Sequence, residues 1–155
     1  MVADQFSQHM SRRFNEELEA LRSRVMHMGG LVERHLYTAV ESITAGDSEM
    51  GLRVAREDYK INALEVEIDE ECSRILATRS PAAGDLRLIV AVIKTITDLE
   101  RIGDEAQRIS YLASSLADNS DSSDHYRELS ALGDHVQTML HDSLDAFSRL
   151  DAKDA

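Results

Sequence analysis

The chain contains one cysteine, Cys72, one proline, Pro81, seven glycines and no tryptophan in 155 residues. A single thiol excludes an internal disulfide framework and suits a reducing compartment. So few prolines and glycines leave little to interrupt long regular elements. Long apolar runs are lacking too. The longest, Leu88 to Ile93, is six residues, against the roughly 20 needed to cross a bilayer as a helix. The first residues, Met1-Val2-Ala3-Asp4-Gln5, carry no apolar core of a secretory signal. A cytoplasmic location without direct membrane insertion is the expectation. Positive charge is in short supply, with 17 Lys and Arg against 29 Asp and Glu and a formal net charge of −12. That balance argues against nucleic acid and anionic lipid as direct partners, and makes cations or a basic protein surface the natural counterparts.

What is present is a helical vocabulary. Aromatics are 5% of the chain while Leu, Ala, Ile, Glu and Arg dominate, the residues that lose least on entering a helix. Phe14, Leu18, Leu21, Val25, Met28, Val32, Leu36, Ala39 and Ile43 recur at steps of three and four. That is one apolar stripe of an amphipathic helix. Gly46-Asp47-Ser48 ends it. A second helix turns Ile61, Leu64, Ile68, Cys72 and Ile75 inward and stops near Thr78. Ser80-Pro81 reads as the N-cap and first helical position of a third, whose stripe is Leu88, Val92, Ile96, Leu99, Ile102, Ala106, Ile109 and Leu116.

A polar stretch at 118–124 reads as a solvated linker, and a fourth stripe follows: Leu129, Leu132, Val136, Met139, Leu144, Phe147 and Leu150. Short connections between the first three helices predict an all-α, antiparallel up-down bundle over 8–117. Residues 125–155 would then form one further long helix. Its Glu128, Leu129, Ala131, Leu132, Val136 and Met139 match Glu17, Leu18, Ala20, Leu21, Val25 and Met28 at a constant offset. That register points to a structural repeat, with the fourth helix opening a second bundle that is incomplete here. A stripe that long calls for cover, either from a second copy of the chain or from its own bundle.

Two acidic faces stand out. Glu100 and Asp104 lie four apart, one above the other on the third helix, and like charges at that spacing oppose helix formation unless something positive sits between them. Gly103 beside them costs about 1 kcal/mol relative to alanine and suggests close approach of another backbone or a ligand. Asp58, Asn62, Glu65 and Asp69 fall at steps of four, three and four on the second helix. If the two faces meet, their oxygens form a site for a hard cation such as Mg or Mn, with iron also suited. The competing reading is surface ion pairing, Asp98 with Arg101, Asp104 with Arg108 and Glu70 with Arg74.

No Glu-x-x-His pair of the di-iron bundles, no His-Glu-x-x-His motif and no cysteine cluster appears. His9, His125, His135 and His141 have polar neighbours, while His27 and His35 flank the first stripe. Cys72 occupies an apolar position and reads as an inert core thiol. Gly29-Gly30 lacks the flanks of a phosphate loop and reads as a kink or a tight helix contact.

Asp85-Leu86-Arg87, Lys94 and the string Asp98-Leu99-Glu100-Arg101-Ile102-Gly103-Asp104 resemble the PhoU family of phosphate-transport regulators. So do Val25 to Gly30, Asn62 to Glu70 and Met139 to Phe147, and the likeness runs from about Phe14 to Leu150. The resemblance implies a fold of two repeated three-helix bundles, often dimeric, each with an E(D)xxxD motif for metal. Glu100 and Asp104 match that motif here, with Asp58, Asn62, Glu65 and Asp69 as weaker carry-overs and Mg, Mn, Fe or Zn as the ion. The implied role is a non-enzymatic negative regulator of the phosphate-starvation response, linking the ATPase subunit of a phosphate ABC transporter to a sensor histidine kinase. The second acidic motif of the family is missing from this sequence. Two other functions stay open on the residues alone: a carboxylate-bridged di-metal enzyme, and a purely structural oligomerisation module.

Overall fold

The computed structural model describes the backbone of residues 2–116 and 125–149 and the side chains of residues 12–116 and 126–149. Five helices follow one another: α1 (Val2–Thr44), α2 (Ser48–Glu57), α3 (Tyr59–Arg79), α4 (Ala83–Leu116) and α5 (His125–Arg149). The expected linker at 118–124 lies outside the described residues, as does Leu150.

The α1 stripe is laid down as its spacing predicts. Leu21, Val25, Met28 and Val32 are wholly buried against Ile61, Ile68, Cys72 and Ile75 of α3 and Ile89, Val92, Ile96 and Leu99 of α4. Removing such side chains from water, at about 25 cal/mol per Å² of apolar surface, is the main force holding the antiparallel layers together. Leu116 departs from expectation and is exposed at the end of α4.

The ends of α1 and α2 are built from one short turn. Gly46 takes φ +66, Gly46 N–H donates to the Ile43 carbonyl at 3.1 Å and Asp47 N–H to the Ser42 carbonyl at 2.9 Å. This is a Schellman closure, and its left-handed position favours glycine. Asp47 then accepts the Met50 N–H at 2.9 Å and starts α2, one of the side-chain caps that helix N-termini require.

The single second helix expected from sequence is two. Asp58 separates α2 from α3 while keeping helical angles, φ −56 and ψ −33. The start of α4 also differs from expectation. Ser80 is the left-handed residue that ends α3, at φ 46, and α4 begins at Ala83. Proline just after a left-handed helix end stops the chain from continuing, so Ser80-Pro81 closes one helix rather than opening the next.

Among the described residues α5 packs against α1 alone. It buries Leu140, Leu144 and Ala146, while Leu132 is 59% and Met139 57% exposed and Val136 is exposed as well. The expected inward stripe of α5 is therefore turned out in its first half. The reason lies in two glycines. A Cβ on Gly29 would stand 2.5 Å from Leu144 Cδ2, and one on Gly133 would stand 2.6 Å from Val40 Cγ1. Each helix offers a notch to the other, and seating in those notches fixes which face of α5 is covered. Val136, Met139 and Phe147 instead border an open groove, with Leu88, Leu99 and Ile102 on its α4 side.

Candidate metal centre

At Gly103 of α4 the α2–α3 junction comes close, bringing Asp58 near the helix that carries Glu100 and Asp104. A Cβ there would stand 2.9 Å from Ile61 Cδ1 and 3.5 Å from Asp58 Oδ1. The glycine thus admits the α2–α3 junction close to the backbone of α4, the close approach anticipated from its place in the sequence. Asp58 is only 4% exposed. Its side chain caps neither neighbouring helix, and its Oδ1 is buried with no hydrogen-bond partner. A buried acceptor left unpaired costs roughly 1–3 kcal/mol, so this oxygen is a standing invitation to a donor or a cation.

The electrostatics agree. Burial pushes the Asp58 carboxyl above the usual carboxylate range, and the charge of Asp104 pushes it further. The Glu100 carboxyl is raised chiefly by burial, then by Asp104, Glu65 and Asp58, with Arg101 offsetting in part. Asp58, Glu65, Glu100 and Asp104 therefore share one field. Asn62 and Asp69, expected on the same face, are exposed to solvent. The charge of Asp69 bears instead on the Cys72 thiol.

The ion pairs that could have neutralised these groups go elsewhere. Asp98 pairs with Arg101 at 3.7 Å as expected. Arg108 chooses Glu105 rather than Asp104, and Arg74 chooses Glu71 and Glu17 rather than Glu70. Two of these replacements lie three residues apart along one helix, a spacing that side chains on one helix face reach readily. Among the described residues, none of Asp58, Glu65, Glu100 and Asp104 has an ion-pair partner.

The donor set is oxygen only, which is the chemistry of hard divalent cations. With the orphaned Asp58 oxygen it fits such an ion in kind. In spacing it is open: among the described residues no three His, Cys, Asp or Glu side chains are gathered closely enough to hold a metal as they stand.

Sequence patterns missed two further groups. His35 is buried rather than at the bundle edge, and its Nδ1 has no partner. Burial pushes its pKa down, Glu57 pulls it up, and Lys60 and Arg34 push it down again. His141 of α5 sits 2.9 Å through Nδ1 from Glu33 Oε1 of α1, which raises its proton affinity. His27 and His135 are exposed, and the side chains of His9 and His125 lie outside the described residues. Cys72 is buried and its thiol is pushed up to about 11, first by burial. It is an inert core group at neutral pH.

Comparison with known proteins completes the picture. Residues 25–113 match the family model of the PhoU domain. A phosphate-specific transport system accessory protein PhoU homolog from Pseudomonas putida is 47% identical over 149 residues, which are 96% of this chain and 58% of that protein. The phosphate-specific transport system accessory protein PhoU of Escherichia coli K12 is 45% identical over 152 residues, 96% of this chain and 61% of its own length. The crystal structure of PhoU from Pseudomonas aeruginosa superposes with a TM-score of 0.87 at 47% identity, covering 91% of this chain and 68% of that one. The chain thus spans about three-fifths of the length of the curated relatives it matches.

Proposed function

Because the chain belongs to the PhoU family, we propose that it is a cytoplasmic regulator of phosphate uptake, acting by protein contacts rather than by catalysis. The observation that carries this reading is the match over residues 25–113, a span that includes Asp58, Glu65, Glu100 and Asp104. The partners proposed are the ATPase subunit of a phosphate ABC transporter and a sensor histidine kinase, with the chain restraining the phosphate-starvation response.

In this reading the acidic notch binds a divalent or iron-type cation. Asp58, Glu100, Asp104 and Glu65 would hold it, with Asn62 and Asp69 at the solvent side. The ion supplies positive charge where four carboxylates repel one another. Its loading would favour one arrangement of the helices over others, and a partner that prefers that arrangement would bind more tightly. The half-exposed apolar face of α5 supports association with a second copy.

Calorimetric titration with Mg, Mn, Fe(II) and Zn tests the site, and pull-down against the two proposed partners tests the role. Saturable binding that Glu100→Gln/Asp104→Asn abolishes is expected, together with weaker capture of at least one partner. Equal metal binding by the double variant would remove the site. Capture of neither partner would remove the adaptor role.

A further inference from the structure

We propose that α5 is the seam of a symmetric pair, in which two copies of the chain lay their α5 helices antiparallel along Leu132, Val136, Met139 and Ser143. This pairing deepens the association with a second copy proposed above by naming its face and its register.

Two rows of residues on α5 carry it. Leu132, Val136, Met139 and Ser143 follow at steps of four, three and four, the alternation that keeps one narrow stripe turned to a partner helix. All four are exposed, Leu132 and Met139 by more than half. Ser143 brings no unpaired hydroxyl to the stripe, because its Oγ donates to the Met139 carbonyl at 2.8 Å. The stripe is separate from the face seated on α1, where Gly133, Leu140 and Leu144 are buried. Covering the stripe therefore leaves the seating of α5 as it is.

Beside the stripe runs a second row, Glu128, His135, Asp142 and Arg149, at steps of seven and exposed throughout. Positions that flank an apolar seam select partner and orientation in paired helices. A parallel pair in register sets each residue of the row against its own copy, Glu128 on Glu128 and Asp142 on Asp142, and like charges so placed oppose pairing. An antiparallel pair with its two-fold between residues 137 and 138 removes that conflict. Val136 comes level with the partner's Met139, and Leu132 with the partner's Ser143. Glu128 then flanks the partner's Arg149 and His135 the partner's Asp142, each pair offset by about 3 Å along the axis. Arg149 keeps its own tie to Asp145 as well. Every contact occurs twice, as a two-fold interface requires.

The shape of the surface agrees. The stripe runs beside the open groove walled by Leu88, Leu99 and Ile102 of α4, and Val136 and Met139 belong to both. A ridge beside a groove on one helix is complementary to its own two-fold copy, since each ridge enters the other's groove. With a net charge of −12 on each chain, two copies repel in general. The alternating charges of the outer row supply local attraction against that repulsion.

Sedimentation equilibrium of the full chain over a dilution series tests the pairing, with circular dichroism to confirm that each variant is folded. The native chain should form a reversible dimer. Met139→Glu alters a side chain exposed in the single copy, so the fold should stand. It should weaken the dimer by about tenfold or more, because a carboxylate in an apolar seam has no partner. Asp142→Lys should also weaken it, although a smaller net negative charge would by itself favour association. Adding His135→Glu to Asp142→Lys should restore the dimer. A monomer at every concentration overturns the pairing and the second-copy reading together, and leaves the face to another occupant. A dimer that Met139→Glu leaves intact overturns the seam and keeps the second copy. Failure of His135→Glu to restore the Asp142→Lys dimer overturns the antiparallel register.

Discussion

Leu144 of α5 rests over Gly29 of α1, its Cδ1 and Cδ2 at 2.9 and 2.5 Å from where a Cβ would stand. Gly29→Ala should therefore lift α5 from the bundle. Alanine gains about 1 kcal/mol in helix propensity, but forcing a methyl into a filled notch costs typically 1–3 kcal/mol. We expect amide protection in α5 to fall several-fold while α3 and α4 are unchanged, as read by hydrogen exchange. Uniform protection along the chain would show that the notch is not what seats α5.

Asp58→Asn should stabilise the metal-free protein at pH 7. The folded pKa of Asp58 is raised by burial and by Asp104, so the fold prefers the neutral form and the ionised form is a cost at neutral pH. Stability from this group rises as pH falls through its folded pKa towards the unfolded value. The advantage of the variant should accordingly shrink as the pH is lowered, and added Mn should stabilise the native chain more than the variant. Calorimetric melts at a series of pH values, with and without Mn, check all three.

His35 makes the opposite contribution. Its pKa is lowered by burial, so the fold prefers neutral imidazole, and stability is present above the unfolded value near 6.5 and lost as pH falls through the folded value. Glu57, Lys60 and Arg34 modulate the shift without reversing it. We expect the urea midpoint of the native chain to decline from pH 7 to pH 5.5 more steeply than that of His35→Leu.

Glu17 of α1 accepts both Nε and Nη2 of Arg79 at 2.8 Å, with Arg74 Nη2 at 3.5 Å. A bidentate guanidinium–carboxylate pair that is largely shielded from water is one of the stronger surface contacts. Glu17→Gln should cost on the order of 1 kcal/mol and should fray the end of α3, measurable as a lower urea midpoint and faster exchange near Arg79. The Glu17 carboxyl is held below its usual range, mainly by Arg79. The native chain should therefore lose this advantage as pH falls below about 4.5.

The sequence made the stripe of α1 legible because one helix with one covered face is fully specified by period. The same period in α5 was misleading. Leu132, Val136 and Met139 copy Leu21, Val25 and Met28, yet the first three are exposed and the second three buried. Period says that a face seeks cover, and it does not say which helix arrives first. The notches at Gly29 and Gly133 decided that, and each is filled by a residue far along the chain, Leu144 and Val40 respectively.

At the acidic site Glu100 and Asp104 were readable as a like-charged pair, and Gly103 as a close approach. The burial of Asp58 and the exposure of Asn62 and Asp69 were not, because spacing along a helix shows which residues share a face and not how much of that face a neighbouring helix covers. Arg108 and Arg74 took partners three residues back on their own helices, and only the pairing of Glu17 with Arg79 and Arg74 depends on geometry across helices.

The outward leucine, valine and methionine of α5 carry a consequence for how the molecule behaves in solution. Any species that shelters them only when the chain is folded will stabilise it by mass action, in proportion to the logarithm of that species' concentration. Where that species is a second copy of the chain, the melting temperature should rise with protein concentration, and a series of dilutions reads it.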